Sequence, residues 1–209
     1  MDLKIINLTK IIKGNTILDS ISLEMESGKI YGIQGKNGSG KTMLMKAICG
    51  LIRPTSGEVW INGERLGDKY DFPMDTGALI ENPGFLRNYN AFDNLKYLAE
   101  INGKANKEDI ENILNEVGLK EVGNKKYKKF SLGMKQKLGI AAALLENPDL
   151  IILDEPTNAL DEESIHKLRN ILVKRKEQGA LIIVSSHDKE ELEILSDKII
   201  KMESGKIIG

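Results

Sequence analysis

Hydrophobic positions in this chain recur with two different spacings, and their order is that of an α/β protein. Ile21, Leu23 and Met25 alternate with Ser22, Glu24 and Glu26, the period of two that marks a half-buried strand. Residues 2–8 and 19–25 are therefore predicted strands, and the apolar run Lys29-Ile30-Tyr31-Gly32-Ile33 follows the turn at Glu26-Ser27-Gly28. Arg53-Pro54-Thr55-Ser56-Gly57 breaks the pattern, and Glu58 to Gly63 reads as a strand ending in an Asn-Gly hairpin turn. These early strands fit an antiparallel β layer. The runs Leu150 to Leu153 and Leu181 to Val184, with the shorter Gly77 to Ile80, are instead continuously apolar, as strands buried on both faces of a parallel sheet are.

Helical spacing covers residues 41–48, 91–101, 107–117, about 131–146 and about 162–177. In the fourth segment Leu138, Ala141, Leu144 and Leu145 share one side; Asn90 is the expected N-cap of the second segment, and Gly118 stands just past the third. The strand near residue 80 ends at Glu81-Asn82-Pro83-Gly84, which cannot continue it, so a helical insertion is expected between two core strands. A last hairpin turns at Glu203-Ser204-Gly205-Lys206. No internal repeat, low-complexity segment or long linker divides the 209 residues, and the reading is one α/β domain large enough to bury a substantial core.

The chemistry begins at Gly35-Lys36-Asn37-Gly38-Ser39-Gly40-Lys41-Thr42, placed between a strand and a helix. Glycines let backbone N–H groups turn inward around phosphate oxygens, and the helix N-terminus adds its positive dipole. Lys41 is then expected to reach the β- and γ-phosphates of a nucleotide and the Thr42 hydroxyl to bind Mg²⁺. Asp154-Glu155 follows a core strand, so both carboxylates should emerge at the carboxyl edge of the sheet, where such folds bind ligands. Alone, that pair reads as a solvated strand end. With the phosphate loop present, Asp154 is expected to hold Mg²⁺ or its waters, and Glu155 to polarise a water for attack on the γ-phosphate.

Charge and cysteine content narrow the class. Thirty basic residues against thirty-one acidic ones leave a net charge of −1, without the basic excess of a nucleic-acid binder. Cys49 is the single cysteine, which rules out an internal disulfide and reads as a small buried hydrophobe. The N-terminus lacks a signal-peptide pattern and no apolar stretch approaches the roughly 20 residues of a membrane span. The expected location is cytoplasmic, with any membrane contact made through a partner.

The phosphate loop, the run Leu150 to Pro156, the turn Asn158-Ala159-Leu160-Asp161, the helix start Ser131-Leu132-Gly133-Met134-Lys135-Gln136 and Ser185-Ser186-His187 together resemble an ABC transporter ATPase over nearly the whole chain. The resemblance implies a P-loop NTPase with a RecA-like core, an antiparallel β subdomain and an inserted helical subdomain, with residues 1–80 and 147–209 forming the core and β layer and 82–146 the helical part. It also implies ATP and Mg²⁺ as ligands and ATP hydrolysis as the activity. A separate transmembrane permease is the implied partner, and the working unit a head-to-tail pair with a second copy or a sister subunit. Ser131 and Gly133 would serve the γ-phosphate of ATP held by the opposite subunit, Asp161 would communicate across the dimer, and His187 would contact the γ-phosphate beside Glu155.

Three departures from the common family pattern stand out. Glu81 replaces the usual Gln, and Leu132 replaces the first Gly of the signature; both resemble the bacitracin-resistance and lantibiotic-immunity exporters. Glu81 is either a third group near Mg²⁺ or a solvated loop acid. Ile12 stands where the family stacks an aromatic ring on adenine, which leaves ATP over GTP preference open. Phe85, Tyr89, Phe92 and Tyr97 divide between helical core and an apolar groove for a membrane-subunit helix. The run Lys125, Lys126, Lys128 and Lys129 is either a solvated face or a contact with anionic lipid or the partner. Two other functions fit parts of the pattern: a soluble ABC-type ATPase acting on ribosomes or nucleic acid, and a small-molecule kinase sharing the phosphate loop.

Overall fold

The structure, a computed structural model, describes residues 1–82 and 84–208; Pro83, read above as part of a strand break, lies outside the described residues. In order the elements are β1 (Asp2–Ile12), β2 (Asn15–Glu26), β3 (Lys29–Gln34), α1 (Lys41–Ile48), β4 (Ser56–Ile61), β5 (Glu64–Arg65), β6 (Thr76–Leu79), α2 (Ala91–Asn102) and α3 (Lys107–Glu116). There follow α4 (Leu132–Leu144), β7 (Leu150–Asp154), α5 (Glu162–Glu177), β8 (Leu181–Ser186), α6 (Lys189–Leu195), β9 (Lys198–Glu203) and β10 (Lys206–Ile207). Single 3₁₀ turns occupy Lys120–Val122 and Tyr127–Lys129.

Two sheets divide the strands. β2, β1, β4 and β5 form an antiparallel four-stranded sheet in that order, and Asn62-Gly63, both at positive φ, close its last hairpin as their residue types dictate. The six-stranded sheet has the order β10-β9-β3-β8-β7-β6; β9, β3, β8, β7 and β6 are parallel, and only the β9–β10 pair is antiparallel. The first hairpin is longer than its hydrophobic alternation indicates. Asn7 and Ser20 take left-handed backbone conformations, and the β1–β2 register shifts between Ile5 and Leu8 and again on either side of Lys10. Each shift interrupts the period of two, so the alternating pattern stops short of Ile12 and starts late in β2.

The parallel sheet is buried on both faces, which explains its continuous apolar runs. Tyr31, Ile33, Leu150, Ile152, Leu181 and Ile183 face one apolar cluster with Leu44, Met45 and Ile48 of α1. Ile30, Ile151, Leu153, Ile182 and Val184 face the other, shared with Leu138, Ala141 and Leu144 of α4 and with Leu168 and Leu172 of α5. That second cluster continues into Leu95 of α2 and Ile110 and Ile113 of α3. Helix α4 therefore touches both the sheet and the inserted helices. A half-buried ion pair adds a second tie, Arg175 Nη2 of α5 lying 3.1 Å from Glu116 Oε2 of α3. Cys49 is buried, and its burial pushes the thiol up to about 12, which leaves it protonated at neutral pH and chemically inert.

One glycine sets the approach of α4 to the sheet. A Cβ on Gly77 of β6 would sit 1.8 Å from the Ala143 carbonyl oxygen, so α4 rests directly on the strand backbone. Gly77→Ala is expected to lower unfolding stability by about 1–3 kcal/mol through overpacking. Urea denaturation reads this directly, and an unchanged midpoint would show that the helix shifts freely on the sheet.

Candidate active site

The loop from Gly35 to Gly40 joins β3 to α1 at the carboxyl edge of the parallel sheet. Gly38 and Gly40 have φ of 82° and 105°, a region that side chains avoid. A Cβ on Gly35 would fall 2.4 Å from Ser39 Oγ and 2.6 Å from the Met202 carbonyl oxygen. The loop therefore closes on itself only with glycine at Gly35. Lys41 is 5% exposed; its ammonium donates to the Gly35 carbonyl at 2.6 Å and the Lys36 carbonyl at 3.4 Å. Ser39 Oγ is buried with no hydrogen-bond partner among the described residues, an orphaned donor inside the loop that an anion's oxygen would satisfy.

The end of β7 faces that loop. Asp154 Oδ2 accepts a hydrogen bond from Thr42 Oγ1 at 2.7 Å, and Asp154 Oδ1 accepts one from Ser185 Oγ at 2.5 Å. Ser185, fully buried at the end of β8, also accepts from the Glu155 backbone N–H at 2.9 Å, so one hydroxyl holds both acidic residues in register. Glu155 has φ 48°, which turns its side chain back over the sheet edge. Its Oε1 lies 3.4 Å from the Lys41 ammonium and its Oε2 lies 2.8 Å from His187 Nδ1. A carboxylate oxygen accepts, so the imidazole donates through Nδ1 in this contact. The Glu155 side chain is 18% exposed while that of His187 is 60% exposed. The carboxylate is thus sheltered between a buried cation and an open imidazole.

A second group of the expected residues lies along the turn after β7. Ser131 caps α4, its Oγ accepting from Met134 N–H at 3.2 Å. A Cβ on Gly133 would lie 2.6 Å from the Ala159 carbonyl oxygen, so the helix start and the 158–161 turn touch backbone to backbone. Gln136, quoted in the helix-start motif but given no role by sequence reasoning, donates to the carbonyls of Glu155 at 3.2 Å and Pro156 at 3.0 Å. Asp161 caps α5 by accepting from Ser164 N–H at 2.8 Å; side-chain and backbone hydrogen bonds from Ser164 hold its carboxyl below the usual range. No hydrogen bond or ion pair among the described residues joins Ser131, Gly133 or Asp161 to the phosphate loop.

The departures also have definite places. Glu81 has φ 58° and pairs with Lys46 at 2.7 Å, one helical turn beyond Thr42, with its side chain 62% exposed. Ile12 is exposed at the end of β1. Phe85 and Phe92 pack against the core cluster, whereas Tyr89 and Tyr97 form an exposed edge-to-face pair with centroids 5.3 Å apart. Lys125, Lys126, Lys128 and Lys129 are all exposed. Among the described residues no group of three or more His, Cys, Asp and Glu side chains is arranged to hold a metal. The hydroxyl and carboxylate of Thr42 and Asp154 are a hard oxygen pair of the kind Mg²⁺ uses together with phosphate and water, and the site fits that ion in this limited sense.

A parallel sheet with helices on both faces, a glycine loop leading from β3 into a helix and an acidic pair at the end of β7, with β8 between the two strands, define a P-loop nucleoside triphosphatase. The family described as ABC transporter matches residues 18–158; the chain belongs to that family and is an ABC ATPase. It is 47% identical over 205 residues to an uncharacterized ABC transporter ATP-binding protein, YybJ, of Bacillus subtilis, covering 98% of this chain and 94% of that one. It is 42% identical to the lantibiotic transport ATP-binding protein SrtF of Streptococcus pyogenes, covering 99% and 89%, and 41% identical to the bacitracin transport ATP-binding protein BcrA of Enterococcus faecalis, covering 97% and 66%. Among solved structures, an ATP-binding subunit of an ABC transporter superposes with a TM-score of 0.90 at 28% identity, covering all of this chain and 89% of that one. A dimeric cassette, MJ0796, in a post-hydrolysis state with ADP and Pi superposes at 0.89 with 26% identity, covering 99% and 97%.

Proposed function

We propose that this chain powers the export of a peptide antibiotic of the bacitracin or lantibiotic kind through a separate membrane permease, working as a head-to-tail dimer. The observation that carries its ATPase part is the convergence of Lys41, Thr42, Asp154, Glu155 and His187 on one edge of the sheet. The likeness to SrtF and BcrA supports the substrate class. The dimeric state of MJ0796 supports the pairing.

Hydrolysis is then a displacement at the γ-phosphorus. The N–H groups of Gly35 to Gly40, with Asn37 and Ser39 in that loop, hold the phosphates, and Lys41 turns from the Gly35 carbonyl to their oxygens. Thr42 and Asp154 would hold Mg²⁺, with Glu81 as a third oxygen group if free of Lys46, and the ion would supply neutralisation of charge on the phosphate oxygens. Glu155 takes a proton from water as its oxygen bonds to phosphorus and the bond to the β-phosphate oxygen breaks. His187 steadies Glu155 through Nδ1 and stands beside it toward the γ-phosphate. Ser131 and Gly133, at the N-terminus of α4, offer backbone N–H groups to the nucleotide of the opposite subunit, and Asp161 communicates across the dimer. Binding closes the dimer and hydrolysis releases it.

Among the described residues no helix is long and apolar enough to cross a membrane, so membrane contact would come through the permease, from the cytoplasmic side. The exposed Tyr89–Tyr97 pair is the part of the aromatic cluster left to receive it. Purification of the tagged chain from detergent-solubilised membranes of its native cells is expected to bring down a stoichiometric polytopic membrane protein. Ribosomal proteins or nucleic acid in its place would overturn the transport reading and leave the ATPase chemistry standing.

A further inference from the structure

Three segments meet behind Glu155 on a single carboxylate that the chemistry above does not use. Glu191, in the first turn of α6, accepts from Thr157 Oγ1 at 2.8 Å and from Ser186 Oγ at 3.4 Å, both through Oε2. Thr157 stands two residues after Glu155, and Ser186 immediately precedes His187. The Ser186 hydroxyl also accepts from Asp188 N–H at 3.0 Å, and Asp188 caps α6 through the N–H groups of Glu190 and Glu191 at 2.9 and 3.2 Å. No lysine, arginine or histidine among the described residues pairs with Glu191. Its partners are two hydroxyls, one on each loop that carries a reacting group.

We infer that Glu191 is a positioning residue for ATP hydrolysis, fixing the turn after β7 and the end of β8 relative to each other so that Glu155 and His187 stay in register. The reason lies in the backbone. Glu155 sits at φ 48°, a conformation that its surroundings must impose. The Ser185 hydroxyl restrains Glu155 from its amide side, and Glu191 restrains the same turn from beyond Pro156 through Thr157. A charged acceptor holds two hydroxyls more firmly than a neutral one, and α6, capped by Asp188, carries that acceptor on a helix rather than a loop. The small displacement that follows its loss falls on the group that activates water, while the phosphate loop, anchored by β3 and α1, is untouched.

The test is a double-mutant cycle on ATP turnover with Glu191→Ala, Glu191→Gln, Thr157→Val and Glu191→Ala/Thr157→Val, each checked for thermal unfolding. Glu191→Ala is expected to lower kcat about tenfold to a hundredfold, with the KM for ATP held within about twofold. Glu191→Gln, which keeps an oxygen acceptor, recovers most of the loss, and the double variant is no worse than Glu191→Ala alone. Wild-type kcat in Glu191→Ala, or losses from Glu191→Ala and Thr157→Val that multiply, would overturn the inference. If Glu191→Ala does not fold, wild-type kcat in Thr157→Val overturns it equally. The inference rests on Glu155 as the water-activating group, and Glu155→Gln is measured alongside. Turnover retained in Glu155→Gln removes that reading, whereas its loss together with an unaffected Glu191→Ala removes this inference alone.

Discussion

Glu155→Gln is expected to lower ATP turnover by about 10²- to 10⁴-fold, with ATP affinity changed by less than about tenfold. The amide preserves shape and keeps an oxygen within reach of His187 Nδ1, which now lies 2.8 Å from the carboxylate, so the His187 loop should hold its place. What the substitution removes is the proton acceptor. It also removes the anion 3.4 Å from Lys41, which frees the ammonium for phosphate and works against any loss of binding. Steady-state phosphate release and nucleotide titration separate the two quantities, and the variant should accumulate as an ATP-bound dimer in size-exclusion chromatography. Turnover within about threefold of wild type would take Glu155 out of its role.

Lys41→Ala should act on binding instead. Two backbone carbonyls and one carboxylate converge on this buried ammonium, and its removal leaves Glu155 Oε1, which already makes no hydrogen bond, without its cation. The loop loses the bond that draws Gly35 toward α1, and the phosphates lose a cation whose hydrogen bonds are each worth about 1.5–3 kcal/mol in general. ATP affinity is expected to fall by about 10²-fold or more, since roughly 1.4 kcal/mol is a factor of ten. Titration calorimetry with ATP decides it; an unchanged dissociation constant would mean that the loop does not bind phosphate.

Most of this arrangement was legible because each part leaves a local mark. Glycine at 35, 38 and 40 is required by close contacts and positive φ, and the buried runs of β7 and β8 place their acidic and histidine residues at one edge. The phosphate loop, Asp154 and Glu155 are marked by residue order, and His187 by the family resemblance alone. What escaped was carried by contacts between distant segments. Ser185 is an ordinary hydroxyl at a strand end until β7 lies beside it. Gln136 reaches carbonyls some twenty residues away, and backbone acceptors leave no trace in residue type. Helix α6 has only seven residues, four of them charged, too few to display a helical stripe; its one signal was Asp188 followed by two glutamates, a capping pattern. The outer part of β1 was lost to bulges, which cancel the period that reveals a strand.

The left-handed backbone at Glu81, Glu155 and Ala159 has a consequence for how such a chain can change. Glu81 and Glu155 sit just beyond strand ends and Ala159 on the turn that follows β7, and conformations of this kind cost about 1–3 kcal/mol apiece. Glycine would relieve that strain most readily, at Ala159 by deleting a single methyl group and at Glu155 by deleting the carboxylate proposed to activate water. Selection for heat resistance alone therefore pushes this edge toward glycine and inactivity, and laboratory evolution for stability needs ATP turnover in the screen to keep residue 155 acidic.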